Sequence, residues 1–319
     1  MTITITTPDC PTVVSSSGVD ELQRHDCNLT HLTMRCQGAE WRDVRITTRE
    51  PPRIRSISFV DGHFARDRLD NGTFEQMNID FGATEHLDLR RNNLRHVTAG
   101  AFVRFGRLQT LRLDHNPVAR LLFPALAPLA PTLRTLSLRN VSAVDTNLTT
   151  LLSLDDDDDG SDNATTTLAL RELDLADNRM VSFDAALFAR LVDLRTVETL
   201  SLDGNRIGGD AFLDFVQTCR GELERRRDGT APPLEVGLRR NAIATVDGET
   251  ARRVLGARNA THRERLALFL EGNPLECNCS NKRFGEMLNT AHGRTLVVDW
   301  HRLTCRGYSE NEFLCLHHR

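Results

Sequence analysis

Leu108-Gln-Thr-Leu111-Arg-Leu113-Asp-His-Asn116-Pro-Val118 carries the pattern that decides the architecture: L-x-x-L-x-L-x-x-N-x-aliphatic. The pattern returns in Leu170–Met180 with Leu173, Leu175 and Asn178, and in Val197–Ile207 with Leu200, Leu202 and Asn205. It comes again at Leu268, Leu270, Asn273 and Leu275. Looser copies fill the gaps: Thr84–Leu94 with Leu87, Leu89 and Asn92, and Leu133–Ala143 with Val141 in the asparagine slot. Val236, Leu238, Asn241 and Ile243 form another, and Ile54–Phe64 the first, with Gly62 for asparagine. Eight copies in one chain are self-similarity at a near-constant period, the signature of a stacked array.

Geometry explains the pattern. The central L-x-L reads as a short strand with side chains alternating inward and outward. Inward leucines of one coil stack on those of the next and build a continuous core. The asparagine offers both donors and an acceptor to turn backbone that burial would otherwise leave unpaired. Strand centres fall roughly 24 to 37 residues apart, so the longer coils carry insertions. Return segments contain Phe then Leu, as in Ala101–Leu108 and Leu187–Leu194. After Ile207, Phe212, Phe215 and Val216 are spaced as on a helix.

The array resembles the leucine-rich repeat family, and the resemblance implies the fold. It is an α/β repeat solenoid, a leucine-rich-repeat horseshoe with short parallel strands on the concave face and disulfide-bonded caps. Asn273-Pro-Leu-Glu-Cys277-Asn-Cys279, with Cys305 and Cys315 further on, resembles the C-terminal cysteine-rich cap of extracellular members. Phe284, Leu288, Val297, Val298 and Trp300 would supply its apolar residues. The resemblance implies pairing of Cys277 with Cys305 and of Cys279 with Cys315, although four cysteines permit three connectivities. Cys27-Asn-Leu-Thr-His-Leu-Thr-Met-Arg-Cys36 is similar to the two-cysteine N-terminal cap of Toll-type receptor ectodomains, which implies a Cys27–Cys36 bond. Cys10 lies outside these patterns, and Cys219 reads as a small buried apolar residue. The division expected is a tail and cap over 1–53, repeats over 54–275 with an acidic insertion at 154–167, and a C-terminal cap over 276–319. A zinc site built from the last cysteines with His317 and His318 is the alternative, opposed by the short C-x-C spacing.

Paired cysteines imply an oxidising compartment. Sequons at Asn28, Asn71, Asn140, Asn147, Asn163 and Asn259 agree, while Asn278 sits between two cap cysteines and is expected to stay bare. The expected location is secreted or extracellular, although the opening residues show no signal peptide. Hydrophobic content of 39% and charged content of 26% suit a folded chain. The net charge of −4 is concentrated in Asp155–Asp159 and Asp162, so no global field favours nucleic acid or an anionic membrane. No apolar run is long enough to insert directly into a bilayer.

No motif for nucleophilic, metal-dependent or phosphate-binding catalysis occurs, so neither enzyme activity, cofactor nor metal is expected. The acidic run reads as a solvated loop, lacking the alternating ligand spacing of a calcium site. Candidate ligand-binding residues are the outward positions of the strands: Arg90, Arg91, Arg112, Asp114, His115, Arg139, Asp174, Asp177, Asp203, Arg239 and Arg240. Cross-strand neutralisation, Asp88 with Arg112 and Arg90 with Asp114, is the competing structural explanation. The function expected is an extracellular recognition module binding a protein or glycan through the concave face or edges. The resemblance implies roles such as innate immune receptor, matrix component or adhesion molecule. Two other classes stay open: a matrix or adhesion protein acting as a homo-oligomer, and a cytosolic regulatory scaffold with reduced cysteines.

Overall fold

The computed structural model describes residues 2–7, 10–15, 26–29, 33–37, 45–47, 51–62, 67–75, 77–118, 120–141, 152–153, 167–184, 188, 192–193, 196–225, 233–248, 266–276 and 281–306. The chain forms two compact units, residues 1–142 with 150–170 and residues 143–149 with 171–319.

The described strands of the N-terminal unit form three sheets. Strands β1 (Thr2–Thr7), β2 (Cys10–Ser15) and β5 (Arg45–Thr47) form a small antiparallel sheet with β1 in the middle. The main sheet runs β3 (Asp26–Leu29), β4 (Thr33–Gln37), β6 (Ser56–Val60), β8 (His86–Asp88), β10 (Thr110–Arg112) and β12 (Thr135–Ser137). Only β3 and β4 pair antiparallel; each later pair is parallel. The third sheet is made of short parallel strands on the return side of the coils: β7 (Arg68–Leu69), β9 (His96–Val97), β11 (Arg120–Leu122) and β13 (Leu152–Ser153). In the C-terminal unit β14 (Glu172–Asp174), β15 (Thr199–Ser201), β16 (Leu234–Gly237) and β17 (Leu266–Phe269) pair in parallel.

Each repeat strand follows from its L-x-L. Leu87, Leu111 and Leu136 point inward from successive strands, and Leu89, Leu113 and Leu138 close the same core one step later, all buried. Truncating one such leucine to alanine costs about 2–5 kcal/mol. Between the two faces of the N-terminal unit, Phe74, Phe81 and Phe105 meet with ring centroids 5.1–5.4 Å apart. In the C-terminal unit Phe183 packs against both Phe188 and Phe215, each at 5.3 Å. The helix expected after Ile207 is present as Gly209–Arg225, with Phe212, Phe215, Val216 and Cys219 on its buried face. Its first residue has to be glycine, because a Cβ at Gly209 would stand 1.7 Å from the carbonyl oxygen of Thr245.

The asparagine slots work as a ladder. Asn116 accepts from the amides of Asn92 (2.8 Å) and Leu94 (3.1 Å) and donates to the carbonyls of Leu89 (2.8 Å) and Leu113 (2.7 Å). Asn205 repeats this with the amides of Asn178 and Met180 and the carbonyls of Leu175 and Leu202. Each buried amide thus satisfies backbone of its own coil and of the one before. Gly62, in the first slot, contributes its backbone amide to Asn92 instead (3.0 Å). The residue before each slot adopts left-handed backbone: Asp61, Arg91, His115, Asn140, Asp177, Gly204, Arg240 and Gly272, with φ between 50° and 77°.

The register places Cys27 directly opposite Cys36, and Cys36 is disulfide-bonded. Cys305 is also disulfide-bonded and bridges in parallel to Leu275. Cys277, Cys279 and Cys315, like most of the acidic insertion, lie outside the described residues. At the C-terminal end, helices Lys282–Leu288 and Ala291–Leu296 bury Phe284, Leu288 and Leu296, while Val297 bridges to Leu268. Val298, expected in this apolar set, is 42% exposed and instead donates its backbone amide to Leu268. Cys219 is buried, as expected.

Candidate functional site

The parallel register of the N-terminal unit lines up outward side chains in rows across the strands. One row runs Arg35, Ser58, Asp88, Arg112 and Ser137, on β4, β6, β8, β10 and β12. The row two residues earlier runs Thr33, Ser56, His86, Thr110 and Thr135. Of these, Arg35, Ser56, Ser58, His86, Asp88, Thr110 and Arg112 line a groove of about 780 Å³, together with Gln37, Asp61, Arg90 and Arg91. Its positions are fixed by inward neighbours: Met34, Ile57, Leu87 and Leu111 are fully buried on the same strands.

Charges in the groove divide into two kinds. Arg90 donates from Nε (2.9 Å) and Nη2 (2.8 Å) to the two oxygens of Asp88. This bond holds the Arg90 guanidinium above its usual pKa, and burial opposes it. Arg91 pairs with Asp61 (Nε to Oδ1, 2.6 Å), and Gln37 donates to the other oxygen (3.2 Å). Arg35 and Arg112 are exposed and make no hydrogen bond or ion pair among the described residues. The cross-strand pairing expected of Arg90 with Asp114 and of Asp88 with Arg112 is therefore replaced by an in-strand pair. Residues two apart at a strand end share a face, and Asp88 reaches Arg90 first.

Other expected site residues serve the fold. Asp114 is buried, and its Oδ1 accepts from the Ser137 hydroxyl and the Arg139 amide (3.0 Å). His115 and Asn140 meet at 3.0 Å between Nδ1 and Nδ2, beside the groove but outside its lining. In the C-terminal unit Asp174 accepts from the Ala176 amide (2.9 Å), and Asp177 and Arg240 occupy left-handed turn positions. Arg239 is enclosed: its guanidinium carbon lies 4.4 Å from the Phe269 ring centre, and its nitrogens lie 3.4 Å from Asp203 and 3.5 Å from Asp299. Asp203 also accepts from the Arg239 amide (2.7 Å). Asp299 accepts from the amides of Leu270 (2.8 Å) and Glu271 (2.9 Å), covering the backbone that follows the last strand.

Among the expected residues, Arg90, Arg91 and Arg112 are brought together in the groove, and Asp203 with Arg239 elsewhere. Sequence reasoning missed Arg35, Ser56, Ser58, His86 and Thr110 as groove residues. The signal was present: Thr33-Met-Arg-Cys-Gln37 alternates like a strand, with Met34 and Cys36 inward. Among sequon residues, Asn71 and Asn140 are exposed. No group of three or more metal-binding side chains occurs among the described residues, and no described helix is long and apolar enough to cross a membrane.

A family model described as leucine rich repeat matches residues 67–118. No curated protein matches the chain in sequence. Among solved structures, human 5T4 (Wnt-activated inhibitory factor 1, trophoblast glycoprotein) is similar over 89% of this chain and 91% of its own, with 20% identity and a TM-score of 0.58. A chain of the mouse RP105/MD-1 complex is similar over 81% of this chain and 44% of its own, with 17% identity and a TM-score of 0.41. With the strand rows, the asparagine ladder and the matched repeats, these findings establish that the chain has the leucine-rich-repeat fold.

Proposed function

We propose that this chain is an extracellular recognition module that binds a protein or glycan through the groove of its N-terminal unit. The observation that carries the reading is the contrast inside that groove. Asp61, Asp88, Arg90 and Arg91 neutralise one another, whereas Arg35 and Arg112 have no hydrogen-bond or ion-pair partner among the described residues. Their strand backbones are held in register, and a ligand can take the two guanidinium groups without first breaking an ion pair. The extracellular part is supported by the disulfide-bonded Cys36 and Cys305 and by the sequons, of which Asn71 is exposed. We assign the pairs Cys27–Cys36, Cys277–Cys305 and Cys279–Cys315, with the terminal cysteine segments capping the array. The fold acts by binding rather than catalysis.

The test is saturable binding of the labelled protein to intact cells, compared with an Arg35→Glu/Arg112→Glu variant. Binding that is lost in the variant supports the reading, and saturable binding that survives it overturns the groove assignment. Mass mapping of the unreduced protein checks the compartment: reduced cap cysteines and bare asparagines would refute it.

A further inference from the structure

The groove has a ligand chemistry of its own, and this step rests on the reading that the groove is the binding face. Arg35 and Arg112 share one row, three strand steps apart, which separates their backbones by about 14 Å at the usual spacing of about 4.8 Å per strand. Ser58 and the Arg90-paired Asp88 lie between them in that row, with Ser56, His86 and Thr110 in the neighbouring row; the hydroxyls of Ser56, Ser58 and Thr110 make no hydrogen bond among the described residues. The two carboxylates of the groove are occupied: Asp88 by Arg90 and Asp61 by Arg91 and Gln37, so an incoming anion meets no uncompensated negative charge. No aromatic side chain lines the groove, and the exposed large apolar residues, Val103, Val181 and Val298, are not part of it. Its apolar lining, Ile57, Leu87 and Val60, is buried or half-buried beneath the polar rows, so the groove offers no large aromatic anchor of the kind that usually dominates protein interfaces.

We infer that the groove takes a sulfated, uronate-bearing polysaccharide that runs across the strands. Arg35 and Arg112 each bind an anionic group of the chain, and the serine and threonine hydroxyls bind sugar hydroxyls between them. Guanidinium matches sulfate and carboxylate through paired N–H donors. A repeating polyanion meets a fixed spacing of two such groups at several registers. An acidic peptide would satisfy the arginines but leave the hydroxyl rows with less to do.

The experiment measures binding of the protein to immobilised heparin, to fully desulfated heparin and to a polyglutamate peptide. It compares the native chain, an Arg35→Gln/Arg112→Gln variant and an Arg53→Gln control. Arg53 is exposed, paired with Asp80 at 3.5 Å and outside the groove. The expected result is heparin binding that weakens about tenfold or more in the double variant, equivalent to about 1.4 kcal/mol. The control changes by less than about twofold, and desulfated heparin and polyglutamate bind far more weakly. Heparin binding that is absent, indifferent to the double variant or unchanged by desulfation overturns the inference. Polyglutamate binding as tight as heparin, and equally dependent on the two arginines, also overturns it in favour of an acidic protein. If heparin fails while saturable cell binding still depends on Arg112, only the ligand class falls and the groove reading stands.

Discussion

Arg112 in the N-terminal unit and Arg239 in the C-terminal unit both project from outward positions of leucine-rich-repeat coils, yet they do opposite things. Arg112 is exposed with no partner among the described residues, whereas Arg239 lies against Phe269 between Asp203 and Asp299. The preceding coil supplies Asp203 and the terminal segment supplies Asp299, so Arg239 becomes part of the end of the array. No described residue reaches Arg112 in that way. A charged residue on a strand face is available for recognition only when its neighbours leave it without structural work.

That contrast can be broken by substitution, and the largest effect belongs to neither arginine. Asn205→Ala removes partners from two backbone amides and two carbonyls, all buried, and is expected to cost about 4 kcal/mol in urea unfolding. A cost under about 1 kcal/mol would show that water replaces the rung. Asp299→Ala comes next, at about 3 kcal/mol, because the Leu270 and Glu271 amides lose a charged acceptor and Arg239 loses a partner. If Asp299→Ala left the thermal midpoint unmoved, Arg239 would be no more committed than Arg112. Gly204→Ala should lose about 1–2 kcal/mol, since φ is +69° and the new Cβ would stand 1.9 Å from an Asp177 oxygen. Arg91→Ala, at the same left-handed slot, should barely change stability for backbone reasons, because Arg91 already carries a Cβ there. The smallest effect is Arg112→Gln, within about 0.5 kcal/mol of the native chain by chemical denaturation. A larger loss would mean that the groove arginine holds the fold together.

How much of this was legible follows from how local each signal is. Leu111, Leu113 and Asn116 announce strand, core and ladder within six residues, and repetition makes the reading secure. The helix Gly209–Arg225 was legible for the same reason, through Phe212, Phe215 and Val216. The strands at Arg68–Leu69 and His96–Val97 were not, since two residues carry no periodicity. Thr2–Thr7 alternates Thr and Ile as far as Thr6 and pairs as a strand, a period-2 signal too short to name its partners. Arg35 lies in a strand with no L-x-L pattern, next to the disulfide-bonded Cys36, so no repeat signal marks its outward face. Asp299 and Arg239 are 60 positions apart in sequence, and no local pattern announces their meeting.

The asparagine ladder has a consequence for how the molecule comes apart. Asn116, Asn205, Asn241 and Asn273 each tie their own turn to backbone of the coil before it, so every rung couples nearest neighbours. Cooperativity in such an array is the sum of these local couplings rather than a property of one shared core. Val141 has no amide group with which to make a rung, and the coupling its side chain provides is apolar packing alone. Hydrogen exchange should therefore divide near that coil, so that one stretch of the chain can breathe while the other stays closed.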